Sequence, residues 1–279
     1  MVEVKKSILK KIYRKRDRWT HKYDFGHLLV IGGSKQYSGS PALNALAALR
    51  AGVDLVTIVA PERAANIIAS FQPDLIAYPL KGDYLNRKHL PELFEFSKNK
   101  TAVVIGGGLC REKATIKTVT EYLRKIKIPC VIDADAIHAV ATKMEVIGNK
   151  NFVITPHSHE FYVLSGIKIG KDLKERIRIV SNVALGLKTT ILLKGHVDII
   201  SNGIKTALNK TGSPYMTKGG MGDTLAGICG TLLARGNDTF TAAQAAAYIN
   251  GKAGEIASKR LKESVLASDL IDSIPEAIK

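Results

Sequence analysis

Residues 211–227 read TGSPYMTKGGMGDTLAG, and this glycine-rich stretch is the most informative part of the chain. Gly219, Gly220 and Gly222 allow a tight turn that exposes consecutive backbone N–H groups. The apolar spacing from Leu225 onward predicts a helix directly after the turn. Unpaired amides and the helix dipole both favour an anion at such a helix N-terminus. The stretch therefore predicts a phosphate-binding turn that opens a helix.

Asp223 follows these glycines and falls in the first turn of the predicted helix. An acidic residue at that position can simply stabilise the helix as a dipole or capping residue. A carboxylate beside phosphate-binding amides can also take the proton from a hydroxyl group that attacks a phosphoryl group. We favour the second interpretation and predict that Asp223 is a catalytic base.

The rest of the chain alternates short β-branched runs with longer helical patterns, which is typical of a parallel sheet covered by helices on both faces. Most strand candidates are continuously apolar, as expected for strands buried on both faces. Asn202-Gly203 is a strong hairpin signal and predicts an antiparallel edge. We therefore predict an α/β fold with a mostly parallel central sheet. The strand candidates are 27–31, 54–60, 102–105, 130–133, 152–155 and 190–193, followed by the hairpin strands 197–201 and 204–208. The helix candidates are 41–50, 223–234, 241–260 and 268–278, the last one capped by Ser268-Asp269.

The length of 279 residues and the 46% apolar content are ordinary for one large α/β domain. We predict a basic helical segment over residues 1–20 and a single catalytic domain over residues 21–279. No apolar run approaches the roughly 18 residues that span a bilayer, and no secretory signal is evident, so we expect a cytoplasmic protein without a membrane anchor. The three cysteines form no close pair, and we expect buried free thiols.

The formal net charge of +16 favours polyanions, which include nucleotides and nucleic acids. Eight of the first 18 residues are Lys or Arg, and Ile8, Leu9 and Ile12 interrupt them at helical spacing. This pattern fits a solvated helix with one apolar edge packed on the body of the protein. We therefore do not expect nucleic acid to be the main partner.

Two other glycine runs and a pair of aspartates follow predicted strands. The chain has no Gly-x4-Gly-Lys-Ser/Thr motif, and neither Gly32-Gly33 nor the run 106–108 completes a dinucleotide fingerprint. Their position after strands still predicts that they lie at the carboxyl edge of the sheet, where ligands bind. Asp133 and Asp135 also follow a strand and could hold Mg²⁺ partly through water, although one of them could instead cap the next helix.

From about His21 to the C-terminus the sequence resembles the ADP/ATP-dependent NAD(P)H-hydrate dehydratases, a branch of the ribokinase-like superfamily. The resemblance rests on several motifs that occur together in the order of that family. They are the opening 21–34 with Gly26-His27 and Gly32-Gly33-Ser34, the block 37–57, Asp133-Ala-Asp135, Thr155-Pro-His157 with Glu160, Leu193-Lys-Gly195, Gly220-x-Gly-Asp223 and Ala267-Ser-Asp-Leu270.

The resemblance implies an enzyme that repairs hydrated NADH or NADPH by transferring phosphate from ADP or ATP to the added hydroxyl and then eliminating it. It implies Mg²⁺ with the nucleotide, and it suggests a homotetramer. The residues implied to bind the hydrated dinucleotide are Ser40, Gly108, His157 and Asp223. Those implied to bind the adenine nucleotide are Lys194, Gly195, His196, Val197, Asp198, Gly220, Met221 and Gly222.

Four positions depart from the pattern of that family. Met221 replaces a small or hydroxylated residue, Gly107 replaces Pro, and Asp198 replaces Thr. Lys218 replaces a small residue, and we expect its ammonium to lie near the transferring phosphate. Two alternatives stay open: a ribokinase-like kinase of a small vitamin precursor such as hydroxymethylpyrimidine, and a catalytically lapsed nucleotide- or RNA-binding protein.

Overall fold

The computed structural model describes residues 2–279, and ten strands form one sheet. The strands in chain order are β1 Val2–Glu3, β2 His27–Ile31, β3 Leu55–Pro61, β4 Ile76–Leu80, β5 Ala102–Ile105, β6 Cys130–Ile132, β7 Phe152–Ile154, β8 Thr190–Leu193, β9 Asp198–Ser201 and β10 Thr206–Asn209. Their order across the sheet is β1-β10-β9-β8-β7-β6-β5-β2-β3-β4. The six predicted central strands and the predicted hairpin are thus confirmed to within one or two residues at each end.

The sheet is parallel from β4 to β8 and turns antiparallel at β9 and β10, as predicted. The turn between β9 and β10 contains Gly203 with φ +84°, which is the left-handed conformation that this hairpin needs and that glycine adopts without strain. The strand β1 then pairs in parallel with β10 at the edge.

Both edge strands, β1 and β4, were missed by the sequence interpretation. The strand β1 has only two residues, too few for an alternating pattern. The strand β4 is largely exposed and contains Pro79, which cannot donate a ladder hydrogen bond and is tolerated at a sheet edge. Edge strands therefore lacked the continuous apolar signal that identified the buried ones.

Eleven α-helices cover the sheet. They are α1 Ser7–Ile12, α2 Gly39–Arg50, α3 Glu62–Ala69, α4 Leu90–Ser97, α5 Lys113–Lys125, α6 Asp135–Ala141, α7 Ser158–Ser165, α8 Leu173–Leu187, α9 Met221–Ala234, α10 Thr239–Leu261 and α11 Ala267–Ile278. The four predicted helices correspond to α2, α9, α10 and α11. We predicted that Ser268-Asp269 caps the start of α11. The helix instead begins one residue earlier, at Ala267, and the Asp269 carboxylate accepts a hydrogen bond from the Leu266 N–H at 2.7 Å.

Successive residues of the central strands point to opposite faces of the sheet. In β2, Leu28 and Val30 join the apolar core under α2, α9, α10 and α11, whereas Leu29 and Ile31 join the core under α4, α5 and α6. A third, smaller core lies beneath α7 and α8. Burial on both faces explains why these strands are continuously apolar in sequence.

The basic N-terminal segment is less helical than predicted, because its helix covers only Ser7–Ile12. Leu9 and Ile12 are buried against the main core, as the apolar spacing predicted. Arg235 donates to the Ile12 carbonyl at 3.2 Å and to the Gly52 carbonyl at 2.8 Å, which fastens the end of α1 to the body. The division into a segment 1–20 and a domain 21–279 stays a prediction.

Two of the three cysteines match the expectation of buried free thiols. Cys130 and Cys229 are buried and unpaired, and burial raises the pKa of both thiols. Cys110 is also free but partly exposed, because it lies in the loop after β5. Along residues 2–279, none of the helices has the length and apolar character needed to cross a bilayer.

The fold brings several loops to one edge of the sheet. The parallel strands β2, β5, β6, β7 and β8 all end there, and the chain order across the sheet reverses between β2 and β5. The loops after these two strands touch, because the Gly33 N–H donates to the Gly107 carbonyl at 2.8 Å. Such a switch point at the carboxyl edge is where open α/β sheets bind ligands.

Two glycines inside α9 allow that helix to pack closely on its neighbours. A Cβ atom on Gly227 would lie 2.1 Å from the Asn44 carbonyl oxygen of α2. A Cβ atom on Gly230 would lie 2.3 Å from the Val104 side chain of β5. Close packing against α2 and the sheet therefore fixes the position of the α9 N-terminus, which carries Asp223.

Candidate active site

A cavity of about 880 Å³ opens at this edge of the sheet. Its volume lies within the usual range of small-molecule sites. Its walls come from the ends of β6, β7 and β8, from the glycine-rich turn and from α10. The lining residues include Asp133, His157, Glu160, the loops 194–196 and 210–214, the loop 216–223, Ala247, Asn250 and Gly251.

The glycine-rich turn leads directly into α9, as predicted. Gly220 has φ +90°, and a Cβ atom there would lie 2.7 Å from the Leu43 side chain and 2.8 Å from Ala267. A larger residue would therefore be both strained and crowded. The helix begins at Met221, two residues earlier than predicted, so Asp223 lies in its first turn.

The Met221 side chain packs into the protein. Its side chain is only 6% exposed and belongs to the main apolar core. The Met221 carbonyl accepts from the Thr224 hydroxyl at 2.8 Å and from the Asn250 amide at 3.3 Å. The substitution thus leaves the backbone of the turn anchored to α10.

Asp223 lies between the two glycine-rich regions. Its Oδ1 accepts a hydrogen bond from the Ser40 hydroxyl, and its carbonyl accepts from the Asn44 amide at 2.7 Å. Burial raises the pKa of Asp223 to about 6, and the Asp133 carboxylate adds to this effect while the Ser40 hydrogen bond and the Lys194 charge oppose it. The carboxylate is therefore largely ionised at neutral pH, yet basic enough to accept a proton.

Ser40 and Gly108 lie together beside Asp223. A Cβ atom on Gly108 would lie 3.6 Å from the Ser40 Cβ, and one on Gly107 would lie 2.1 Å from the Ser40 Oγ and 3.0 Å from the Asp223 Oδ1. Gly107, which replaces the proline of the family, therefore leaves space for the hydrogen bond between Ser40 and Asp223. Gly108 has φ +68°, a backbone conformation that favours glycine.

Lys194 follows the last residue of β8 and lies on the other side of Asp223 from Ser40 and Gly108. Its Nζ donates to the Asp133 Oδ1 at 3.0 Å and lies 3.6 Å from the Glu160 Oε2. Burial alone would lower the pKa of Lys194, but these carboxylates outweigh burial and raise the pKa. A Cβ atom on Gly222 would lie 3.3 Å from the Lys194 Nζ. The ammonium of Lys194 therefore lies next to the glycine-rich turn.

His157 caps α7 and lines the cavity. Its Nδ1 accepts from the N–H groups of His159 at 3.1 Å and Glu160 at 3.2 Å. Because Nδ1 is the acceptor, the proton of the neutral ring lies on Nε2. Glu160 completes the capping box by accepting from the His157 N–H at 2.8 Å. The ring is about half exposed and offers one N–H donor.

The turn after Lys194 is closed by Asp198. The Asp198 carboxylate accepts from the Gly195 N–H and from the Asn209 amide, both at 3.0 Å. Burial raises the pKa of Asp198 to about 6, and the two hydrogen bonds oppose this effect. His196 is exposed at the cavity, whereas Val197 packs against the core beneath α8. Asp198 thus shapes the turn that carries the predicted nucleotide-binding residues.

The predicted metal ligands separate in the structure. Asp133 lines the cavity, and its Oδ1 accepts from Lys194 and, at 2.7 Å, from the Thr155 hydroxyl. Asp135 is directed to the loop after β5, where it binds the Cys110 N–H at 3.0 Å and Arg111 at 2.9 Å. The pair therefore does not converge on one ion. Across residues 2–279, no group of three or more His, Cys, Asp or Glu side chains is arranged to hold a metal.

Lys218 lies in the loop that leads to the glycine-rich turn. Its ammonium donates to the backbone carbonyl of Glu263, in the turn that joins α10 to α11. This contact ties the glycine-rich loop to the C-terminal helices. Lys218 also lines the cavity, and its expected position near a phosphate stays a prediction.

The structure brings most of the predicted binding residues around Asp223, and it adds others that were not singled out as site residues. Glu160 and Thr155 were noted only as parts of a motif, while Asn44 and Asn250 were not considered. Each of these four contacts a predicted site residue or its backbone. Thr155 and Glu160 follow the end of β7, whereas Asn44 and Asn250 lie inside α2 and α10, where no local pattern in the sequence marks them.

The comparisons with known proteins match almost the whole chain. A family model described as NAD(P)H-hydrate dehydratase matches residues 28–276. The bifunctional NAD(P)H-hydrate repair enzyme of Pyrobaculum aerophilum is 44% identical over 92% of this chain and 51% of its own length. The ADP-dependent (S)-NAD(P)H-hydrate dehydratase of Cenarchaeum symbiosum is 36% identical over 97% of this chain and 94% of its own length. The chain thus spans about half the length of the bifunctional relatives.

Solved structures support the fold. A ribokinase-like superfamily protein from Enterococcus faecalis superposes with a TM-score of 0.86 at 25% identity, over 99% of this chain and 95% of that one. The ADP/ATP-dependent NAD(P)H-hydrate dehydratase of Bacillus subtilis, co-crystallised with ATP/Mg²⁺, has a TM-score of 0.83 at 24% identity, over 99% and 97%. The predicted ribokinase-like α/β fold is therefore confirmed.

Proposed function

The chain belongs to the NAD(P)H-hydrate dehydratase family, and from this we propose that it restores NADH or NADPH from the hydrated cofactor at the expense of ADP or ATP. The observation that carries the proposal is the position of Asp223, a partly buried carboxylate in the first turn of α9 that faces a cavity holding a fixed lysine. A base beside an anion-binding turn is what phosphoryl transfer to a hydroxyl requires.

In the first step, Asp223 accepts the proton of the added hydroxyl while the oxygen attacks the terminal phosphorus of the nucleotide. The bond to the leaving phosphate breaks, and AMP or ADP departs. In the second step, the C–O bond of the new phosphate ester breaks, phosphate leaves with the electron pair, and a proton leaves the neighbouring ring carbon. These steps regenerate the nicotinamide double bond and consume one phosphoryl group.

The predicted binding residues supply the remaining roles. The backbone of the turn at Gly220, Met221 and Gly222 lies at a helix N-terminus and favours the phosphates of the nucleotide. Lys194 adds a fixed positive charge beside that turn. On the other side of Asp223, Ser40 orients the carboxylate through its hydroxyl. His157 presents its half-exposed ring at the cavity wall to the hydrated dinucleotide.

Mg²⁺ would enter with the nucleotide and neutralise charge on its phosphates. In such sites the metal is held by phosphates and waters with one or two protein carboxylates, and Asp133 at the cavity wall suits this donor set. Asp135 does not suit it, because it does not line the cavity and both of its oxygens are bound, by the Cys110 N–H and Arg111. ADP is the donor suggested by the names of the archaeal relatives, and ATP is suggested by the Bacillus subtilis enzyme. A cytoplasmic location and a homotetramer stay predictions.

The test is incubation of the protein with hydrated NADH or NADPH, Mg²⁺, and ADP or ATP. We expect the absorbance of the reduced nicotinamide to return in step with nucleotide consumption, and no return without nucleotide. Folded protein that fails with both hydrates and both donors would overturn the proposal. Nucleotide consumption with hydroxymethylpyrimidine instead would favour the kinase alternative.

A further inference from the structure

We propose that Glu160 is a positioning residue that joins the two ligand subsites, because it holds Lys194 on the nucleotide side and His157 on the dinucleotide side. The names of the two subsites rest on the proposed function, whereas the contacts themselves do not. Glu160 lies in the first turn of α7 and is only 7% exposed.

The two oxygens of Glu160 make three contacts. Oε2 accepts from the His157 backbone N–H at 2.8 Å and lies 3.6 Å from the Lys194 Nζ. Oε1 lies 3.5 Å from the His157 Nε2. One carboxylate therefore touches both the backbone and the ring of His157 as well as the ammonium of Lys194.

Lys194 is held from two sides. Asp133, at the end of β6, contacts the Nζ at 3.0 Å, and Glu160 contacts it from α7. Asp133 is in turn fixed by the Thr155 hydroxyl at 2.7 Å. The two carboxylates fix the ammonium against Gly222, where the transferring phosphoryl group would be bound.

Helix capping alone does not account for Glu160. Asp269 makes the same backbone contact at the start of α11, accepting from Leu266 at 2.7 Å, and does so while partly exposed. Glu160 is buried beside Asp133, and two carboxylates for one lysine leave uncompensated negative charge in the cavity. Burying charge is costly, so an arrangement that only capped a helix would gain nothing from this position.

Glu160→Gln separates the two roles. The amide oxygen can still accept from the His157 N–H, so the helix cap is kept, but the charge that holds Lys194 is removed. We expect turnover to fall by roughly 10- to 100-fold, because small displacements of catalytic groups are costly. The KM and the dissociation constant for ADP should not rise more than about threefold, since one negative charge near the phosphates is also lost.

Asp238→Asn is the matched control. Asp238 caps α10 by accepting from Phe240 and Thr241 at 3.1 and 3.0 Å, and the adjoining Thr239 contacts Thr190 at the far end of β8. The substitution removes a capping charge outside the cavity. We expect it to leave turnover within about twofold of the parent.

A double-mutant cycle of Glu160→Gln with Lys194→Gln gives the decisive readout. If Glu160 acts through Lys194, the two losses in turnover should overlap, and the double variant should resemble Lys194→Gln to within about threefold. Additive losses, or a Glu160→Gln enzyme with parental turnover, would overturn the proposal while leaving the proposed function intact.

The same four proteins can be compared by isothermal titration calorimetry with ADP alone, which measures ADP affinity without any catalysis. If Glu160 acts through Lys194, the change in ADP affinity caused by Glu160→Gln in the parent should disappear in the Lys194→Gln background, and this result supports the proposal even in a protein that fails to turn over the hydrated cofactor. Independent effects on ADP affinity would contradict it. Thermal unfolding of each variant shows whether a loss reflects unfolding instead of positioning.

Discussion

Two turns at the same edge of the sheet each end in an aspartate. Both aspartates have a raised pKa, but their hydrogen-bond partners differ. Asp198 closes the turn 194–198, and Asp223 follows the turn 219–222. Burial raises the pKa of each to about 6. Both aspartates line the cavity, but Asp198 uses both carboxylate oxygens to accept hydrogen bonds from Gly195 and Asn209, whereas Asp223 accepts one through Oδ1, from Ser40.

The comparison shows that a raised pKa does not by itself identify a catalytic base. Asp198 is buried to close a turn, and its hydrogen bonds come from the protein that surrounds it. Asp223 is buried among charged groups, namely Asp133, Lys194 and Glu160, at a cavity that can admit a hydroxyl group. The carboxylate oxygen of Asp223 that accepts no hydrogen bond from residues 2–279, together with the neighbouring Asp133 and Glu160 carboxylates, favours Asp223 over Asp198 as the proposed base, although both line the cavity.

The largest expected effect is that of Asp223→Asn. The amide keeps the size of the side chain but cannot accept the proton, so turnover should fall by about 10²- to 10⁴-fold. Nucleotide should still bind, and it should bind as well or better because a negative charge near the phosphates is gone. The measurement pairs single-turnover rates with ADP affinity. Turnover within a few-fold of the parent would remove Asp223 from the mechanism.

A smaller effect is expected for Ser40→Ala, which removes the hydrogen bond to Asp223. This hydrogen bond lowers the pKa of Asp223, so its loss should raise that pKa further. Turnover should fall about tenfold near pH 6.5 and recover in part by pH 8.5, where the carboxylate is ionised again. Equal losses at both pH values would show that Ser40 does not act through Asp223.

Asp223→Asn should also change stability, and in the opposite direction to activity. Because the pKa of Asp223 in the folded protein lies above its ordinary value of 3.8, the folded state binds the proton more tightly than the unfolded state does. Stability is therefore lost as pH rises from about 4 through about 6, by at most about 3 kcal/mol at roughly 1.4 kcal/mol for each pKa unit. The variant should have a higher Tm than the parent at pH 8 and a similar one at pH 4. A lower Tm at pH 8 would contradict this.

The smallest effect on the chemical step is expected for Asp198→Asn. An amide can replace only one of the two accepted hydrogen bonds, so the turn at 194–198 should loosen. The KM for nucleotide should rise by up to about tenfold, the scale of one weakened hydrogen bond, while kcat stays within about threefold. A loss of kcat as large as that of Asp223→Asn would show that the two turns do not differ as we describe.

The central fold could be predicted from the sequence because buried parallel strands and the Asn202-Gly203 turn leave strong local patterns. The edge strands could not, since β1 is too short and β4 is largely exposed and interrupted by Pro79. The predicted first residue of α9 differs from the observed one by two positions, and that of α11 by one. The glycines before α9 and Leu266 before α11 do not mark the residue at which the first helical turn begins.

Within the site, Asp223 and the glycine-rich turn were recognisable from local chemistry alone. The contacts among Asp133, Glu160 and Lys194 were not, because these residues come from α7 and from the ends of two strands, far apart in sequence. The separation of Asp133 from Asp135 depends on Arg111, which no local pattern connects to them. Long-range contacts therefore decide which acidic residues meet in the cavity.

The central claim is that ionised Asp223 performs proton abstraction while Asp198 serves only to shape its turn. The most direct test is the pH dependence of kcat/KM for the hydrated cofactor, which reports ionisations of the free enzyme. We predict that it falls about tenfold per pH unit below about pH 6, both in the parent and in Asp198→Asn. A profile that is flat from pH 5 to pH 8 in the parent, or an acid limb that disappears in Asp198→Asn, would contradict the claim.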